Sequence, residues 1–112
     1  MLAHEKLDVY RCAIEFLALS SRIVESIPRG NSALLEQLKR AALSIPLNIA
    51  EGAGKQSTPE RKRYYGVARG SAMECGALLD ACRVLGLADE EALGAGKALL
   101  VRIVSMLTKM CK

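Results

Sequence analysis

Few residues in this chain could perform catalytic chemistry. His4 is the only histidine among 112 residues, so a Ser-His-Asp or Cys-His arrangement would rest on it alone. It stands near a chain terminus, where side chains are usually mobile and solvated. Paired carboxylates working as acid and base must converge in a cleft. Glu51, Glu60 and Glu74 are available, but helix caps and solvated faces are the better account of them. The four cysteines, Cys12, Cys75, Cys82 and Cys111, show no Cys-x-x-Cys spacing. Cys75 and Cys82 share a helical face with Tyr64, Ala68, Ser71, Leu78 and Leu85, which reads as small core thiols in a reducing cytoplasm. One histidine cannot complete a metal-ligand set with them. The expectation is no enzyme, no metal and no cofactor.

Two glycine motifs invite a nucleotide reading and fail it. Gly52-Ala53-Gly54-Lys55-Gln56-Ser57 resembles part of a phosphate-binding loop, but Ile49 stands where the first glycine belongs and Gln56 where Ser or Thr belongs. Gly94-Ala95-Gly96 lacks the third glycine of a dinucleotide fingerprint, leaving close helix packing as its use.

Charge is more informative. Between Lys39 and Arg69 stand seven bases, Lys39, Arg40, Lys55, Arg61, Lys62, Arg63 and Arg69, against Glu51 and Glu60. That is +5 in a chain of net charge +4. Arg61-Lys62-Arg63 sweeps about 200° of a helix wheel, so part of it must face water. Tyr64 and Tyr65 follow and could stack on bases. These seven cations are the candidate nucleic-acid-binding residues; a solvated basic turn is the plainer alternative.

Four helices must position these groups. The first is expected from about Glu5 to Ser26, with Leu7, Tyr10, Ile14, Leu17, Ser21 and Val24 as its inner stripe. Val9, Phe16, Leu19 and Ile23 form a second row that a lone bundle need not bury. Pro28-Arg29-Gly30-Asn31 breaks the helix. The second, capped by Asn31 or Ser32, carries Leu34, Leu38, Ala41, Ile45 and Asn48 to a stop at Gly52-Ala53-Gly54. Pro46 should kink it without ending it, because the stripe resumes in phase at Ile49. Asn48 then lies at a packed seam and needs a hydrogen-bond partner.

Ser57-Thr58-Pro59-Glu60 is a strong start for the third helix, with a serine or threonine cap and a proline in the first turn. It should run to about Leu85 and stop at Gly86. The fourth begins at Asp89-Glu90-Glu91, acids suited to a helix N-terminus, and carries Leu93, Gly96, Leu100, Ile103, Leu107 and Met110. Short connections make neighbours antiparallel. The chain is therefore expected to be all-α, a single up-down-up-down four-helix bundle over residues 1–112.

Apolar residues make up 51% of the chain, high for a small domain, so apolar surface should stay exposed or be covered by another subunit. No stretch approaches 18 uncharged residues, and charges precede any apolar run, so neither a membrane span nor a secretory signal is expected.

Leu38 to Gly52 with its Ser-Ile-Pro-x-Asn-Ile-Ala-Glu-Gly run, Ser57 to Glu60, and Arg69-Gly70-Ser71-Ala72-Met73-Glu74 together resemble the 23S rRNA intervening sequence proteins. They are also similar to the accessory variability proteins of diversity-generating retroelements. The likeness runs from Leu7 to about Leu107. It implies a bacterial, cytoplasmic bundle that forms a ring-like homopentamer without enzymatic activity. Among the retroelement relatives, the basic ring contacts RNA and a reverse transcriptase.

Carried onto this chain, the signature positions are Arg40, Asn48, Glu51, Gly52, Ser57, Glu60, Gly70, Ser71 and Glu74. The resemblance implies that Asn48 and Glu51 bond across helices two and three and that Gly70 permits close backbone approach. The expected function is binding of structured RNA or other nucleic acid through a basic surface. The alternative is a protein-binding scaffold, for example an accessory subunit of a reverse transcriptase.

Overall fold

The computed structural model describes residues 1–112 and contains helices only: a 3-10 turn over Ala3–Lys6, then α1 (Asp8–Ser26), α2 (Ser32–Ala53), α3 (Thr58–Val84) and α4 (Glu90–Met110). Sequential helices pack side by side and α4 closes on α1, while α1 and α3 stay apart, as do α2 and α4. The result is a square antiparallel bundle with extents of 44 × 25 × 23 Å. No helix is long and apolar enough to cross a membrane.

The expected start at Glu5 moves to Asp8, because Leu7 is extended (φ −83°, ψ 128°) and separates the 3-10 turn from α1. Asn31 stands at the N-cap position of α2 but makes no side-chain cap bond; its Nδ2 donates instead to the Pro28 carbonyl at 2.9 Å, fastening the preceding turn. Helix α2 continues through a buried Pro46, and Ile49 returns to the core fully buried. Ser57 caps α3 by accepting from the Glu60 N–H at 3.3 Å, while its hydroxyl donates to Glu60 Oε1 at 3.0 Å. Asp89 caps α4 by accepting from Ala92 N–H. Between them, Gly86 adopts φ +65°, a left-handed conformation that costs glycine no Cβ clash.

The stripes expected on α2, α3 and α4 largely form the core: Leu38, Ala41, Ile45, Ala68, Cys75, Cys82, Leu93, Gly96, Leu100, Ile103 and Leu107 are buried. Helix α1 corrects the expectation. Its core row is Val9, Phe16 and Ile23, joined by Cys12, Ala13 and Ser20. Ile14 and Ser21 of the expected inner stripe are exposed, while Leu7, Tyr10, Leu17 and Val24 are half-buried on the outer side. Gly96 helps explain the choice. A Cβ there would lie 3.5 Å from Phe16 Cε1 and 2.9 Å from Leu79 Cδ1, so the bare backbone of α4 makes the slot beside the phenyl ring.

Candidate nucleic-acid interface

The turn from α2 to α3 is built around Arg61. Its guanidinium donates from Nη1 to the carbonyls of Lys55 (2.9 Å) and Gln56 (2.8 Å) and from Nη2 to Thr58 Oγ1 (3.0 Å). These three bonds fix the loop and leave the positive charge unneutralised. Gly52 brings the helices together just before the turn: a Cβ there would sit 2.7 Å from Tyr65 Cε1 and 3.1 Å from Tyr64 Cβ. Tyr65 is consequently buried at 8% exposure, and burial pushes its phenol pKa up against the opposing pull of the Arg61 charge. The expectation that Tyr65 could stack on a base is overturned. Tyr64 remains half-exposed, with Lys55 Nζ 5.2 Å and Arg63 Cζ 5.9 Å from its ring centroid.

The seven candidate cations do not form one patch. Arg69 leaves the turn and donates from Nε to Thr108 Oγ1 at 2.8 Å, and that hydroxyl donates onward to the Val104 carbonyl, stitching α3 to α4. Lys55 lies 3.6 Å from Glu51, in a half-exposed i,i+4 pair. Lys39 is loosely paired with Glu36 at 4.0 Å, and Arg40 is exposed without an acidic partner. At about 1.5 Å of rise per residue, those two stand roughly 20 Å along α2 from the turn. Lys62 and Arg63 are the turn cations held by neither an ion pair nor a hydrogen bond; Arg61, also without a carboxylate, is spent on the loop.

Antiparallel packing supplies cations that the linear reading left out of the cluster. The start of α1 and the end of α4 return to the α2–α3 end of the bundle. They bring Lys6, Arg11, Arg102, Lys109 and Lys112 toward Lys55, Arg61, Lys62, Arg63 and Arg69. That half of the molecule carries these ten bases against five acids (Glu5, Asp8, Glu15, Glu51, Glu60), a net +5; the other half carries six bases against seven acids. The signal was present as terminal lysines on α4, legible once the topology is known.

The signature residues divide into seam, turn and surface. Asn48 Nδ2 donates to the Ser44 carbonyl (2.8 Å) and Ser44 Oγ (3.0 Å), and Ser44 Oγ meets Ser71 Oγ at 2.7 Å. The polar link between α2 and α3 therefore passes through the two serines. The implied cross-helix bonds are both corrected: Asn48 donates only to Ser44 within α2, and Glu51 is exposed and paired with Lys55 just past the end of α2. Gly70 corrects the implied close approach, since a Cβ there would meet open space; Gly52 fills that role. Ser57 caps α3 as expected, but Glu60 does not close the box: its carboxylate accepts from the Ser57 hydroxyl and not from the Ser57 backbone N–H. Glu74 is exposed beside the buried Cys75, whose thiol is pushed up to about 12, first by burial and then by that carboxylate.

Comparison with known families follows the same span of helices. The model of the 23S rRNA-intervening sequence protein family matches residues 5–109. The chain belongs to this family. The match takes in α1 to α3, α4 up to Lys109, the Ser44–Asn48–Ser71 seam and the basic end except Lys112. A search of curated proteins returns no match. Other features of this family member concern packing: Cys12, Cys75 and Cys82 are buried free thiols, Cys111 is half-buried, and no three His, Cys, Asp or Glu side chains gather into a possible metal cluster.

Proposed function

We propose that this protein is a non-enzymatic, cytoplasmic bundle that assembles into a ring, a homopentamer as the family resemblance implies, and binds structured RNA through the basic end of each subunit. The observation that carries the reading is the two-to-one excess of bases over acids at that end. Phosphate contacts need only positioned cations, and each one releases counterions. A ring repeats the end in every subunit, so individually weak contacts act together. Apolar side chains exposed on both flanks of the bundle favour a second reading, a protein scaffold or accessory subunit, for example of a reverse transcriptase, without a nucleic-acid role.

Fluorescence anisotropy with one structured RNA and one unrelated RNA, at low and near-physiological salt, tests the proposal. Affinity should fall steeply with salt and differ little between the two RNAs. Lys62→Glu combined with Arg63→Glu should abolish binding while leaving the melting temperature in place; Arg61 is left intact because it holds the turn. No measurable binding by the intact oligomer at low salt overturns the RNA reading and promotes the scaffold. Binding that survives the double reversal transfers the contact to Arg102, Lys109 and Lys112.

A further inference from the structure

The chain has one phenylalanine and three tyrosines, and one of these side chains stands apart from the rest. Phe16 and Tyr65 are buried. Tyr10 is half-buried and packs edge-on with His4, the two centroids 4.6 Å apart and the planes at 67°. Tyr64 is half-exposed, and cations meet it instead: Lys55 Nζ lies 5.2 Å and Arg63 Cζ 5.9 Å from its centroid.

The side chain is rooted firmly. A Cβ on Gly52 would lie 3.1 Å from Tyr64 Cβ, so α2 walls the residue on one side while α3 holds its backbone. An aromatic surface ordered in advance loses little freedom when a ligand settles on it. The two cations are less committed. Lys55 has only a half-exposed i,i+4 pair with Glu51 at 3.6 Å, and Arg63 is exposed. A cation over an exposed aromatic side chain is worth about 2–5-fold in an equilibrium constant, and a base stacked on one about 5–150-fold. A nucleobase therefore displaces the cations from Tyr64. The freed charges remain beside it, where the phosphates flanking that base arrive.

We infer that Tyr64 is a stacking platform for one unpaired nucleotide, whose base lies on the phenol while Lys55 and Arg63 take the flanking phosphates. This rests on the RNA reading above and names the part of an RNA that the basic end selects: a loop, a bulge or a single-stranded tail. Inside a duplex each base face is covered by its neighbour. The A-form grooves offer a protein only base edges, ribose hydroxyls and phosphates. A duplex thus gains from the cations and gains nothing from Tyr64. Every base has a π-face, so the platform sorts RNAs by strandedness and tolerates changes of sequence.

Binding of a labelled oligouridylate and of a blunt RNA duplex of equal length, followed by fluorescence anisotropy at low salt, tests the inference. Tyr64→Leu should weaken the single strand by about 5-fold or more and leave the duplex within about 2-fold of its original affinity. Tyr64→Phe should retain both affinities, because it keeps the π-face. Tyr64→Trp adds a direct readout. The chain has no tryptophan, so this variant carries a single indole, and a stacked base should quench its emission. Saturating oligouridylate should therefore dim it, and saturating duplex should not.

Unchanged binding of the single strand by Tyr64→Leu overturns the platform while the RNA reading stands. Equal losses on both RNAs do the same, since they would make Tyr64 a packing residue of the basic end. Should Tyr64→Leu melt early, the indole decides alone: emission that saturating oligouridylate leaves unchanged overturns the platform. No binding of either RNA by the unmodified chain overturns both readings.

Discussion

Ser44 and Ser71 are 27 residues apart in sequence, yet their hydroxyls meet at 2.7 Å across the α2–α3 seam, and Asn48 holds the first of them from within α2. Every polar step between these two helices at this level passes through Ser44. The Asn48 amide nitrogen donates to both the carbonyl and the hydroxyl of that one residue, which holds the amide in place.

Ser44→Ala should therefore cost more stability than Ser71→Ala, because it removes one of the two acceptors of Asn48, leaving the Ser44 carbonyl, as well as the interhelical bond. Expected losses are about 1 kcal/mol for Ser71→Ala or Asn48→Ala and up to about 2 kcal/mol for Ser44→Ala. Thermal and urea melts of the three single variants and the Ser44/Ser71 double variant provide the check. Strict additivity in that cycle would show that the two hydroxyls are not coupled.

Gly52→Ala should destabilise the bundle by about 1–3 kcal/mol, since the new methyl group meets the buried Tyr65 ring at 2.7 Å and Tyr64 Cβ at 3.1 Å. Gly54→Ala is the matched control. It lies two residues on, with αR geometry (φ −84°, ψ −8°) and nothing nearer than 3.6 Å, and should shift stability by no more than about 0.5 kcal/mol. Equal melting temperatures for the two variants would refute the close approach.

The Cys75 thiol gives the fold an alkaline dependence whose sign can be worked out. An unfolded thiol loses its proton near 9.0, whereas the folded one is held neutral up to about 12. Between those values the unfolded state releases the proton first, so native stability should fall as pH rises from 9 toward 12. Urea midpoints measured across that range should decline less steeply in Cys75→Ala than in the unmodified chain. In native protein at pH 8, half-buried Cys111 should react with iodoacetamide well before Cys75 and Cys82. Equal labelling of all four cysteines would show that the core opens.

Helix positions, the starts of α3 at Ser57-Thr58-Pro59 and of α4 at its acids, and the core stripes of three helices were legible because they are local: each depends on spacing, capping chemistry or end charge within one element. What escaped depends on which neighbour a residue meets. Helix α1 offers two apolar rows of nearly equal merit, and the choice of Val9, Phe16 and Ile23 depends on where a distant helix has room. Gly52 and Gly70 are equally plausible close contacts until Tyr65 is found above the first and open space above the second. Arg69 looks like another surface cation in a basic run; its engagement with Thr108, 39 residues away, needs the fold. For the basic end, local sequence revealed half of the cluster, and antiparallel topology delivered Lys6, Lys109 and Lys112 to the same end.

The lengthwise separation of charge makes this molecule an elongated electric dipole, 44 Å in its longest dimension and positive at the α2–α3 end. In the field of a polyanion such a body feels a torque before it feels contact. Encounters are biased toward end-on arrival, and the bias fades once added salt shrinks the Debye length to about 8–10 Å, well below the molecular length. Orientation during approach is thus set by the distribution of charge along the bundle, and two variants of identical net charge should associate at different rates if one of them moves a lysine from one end to the other.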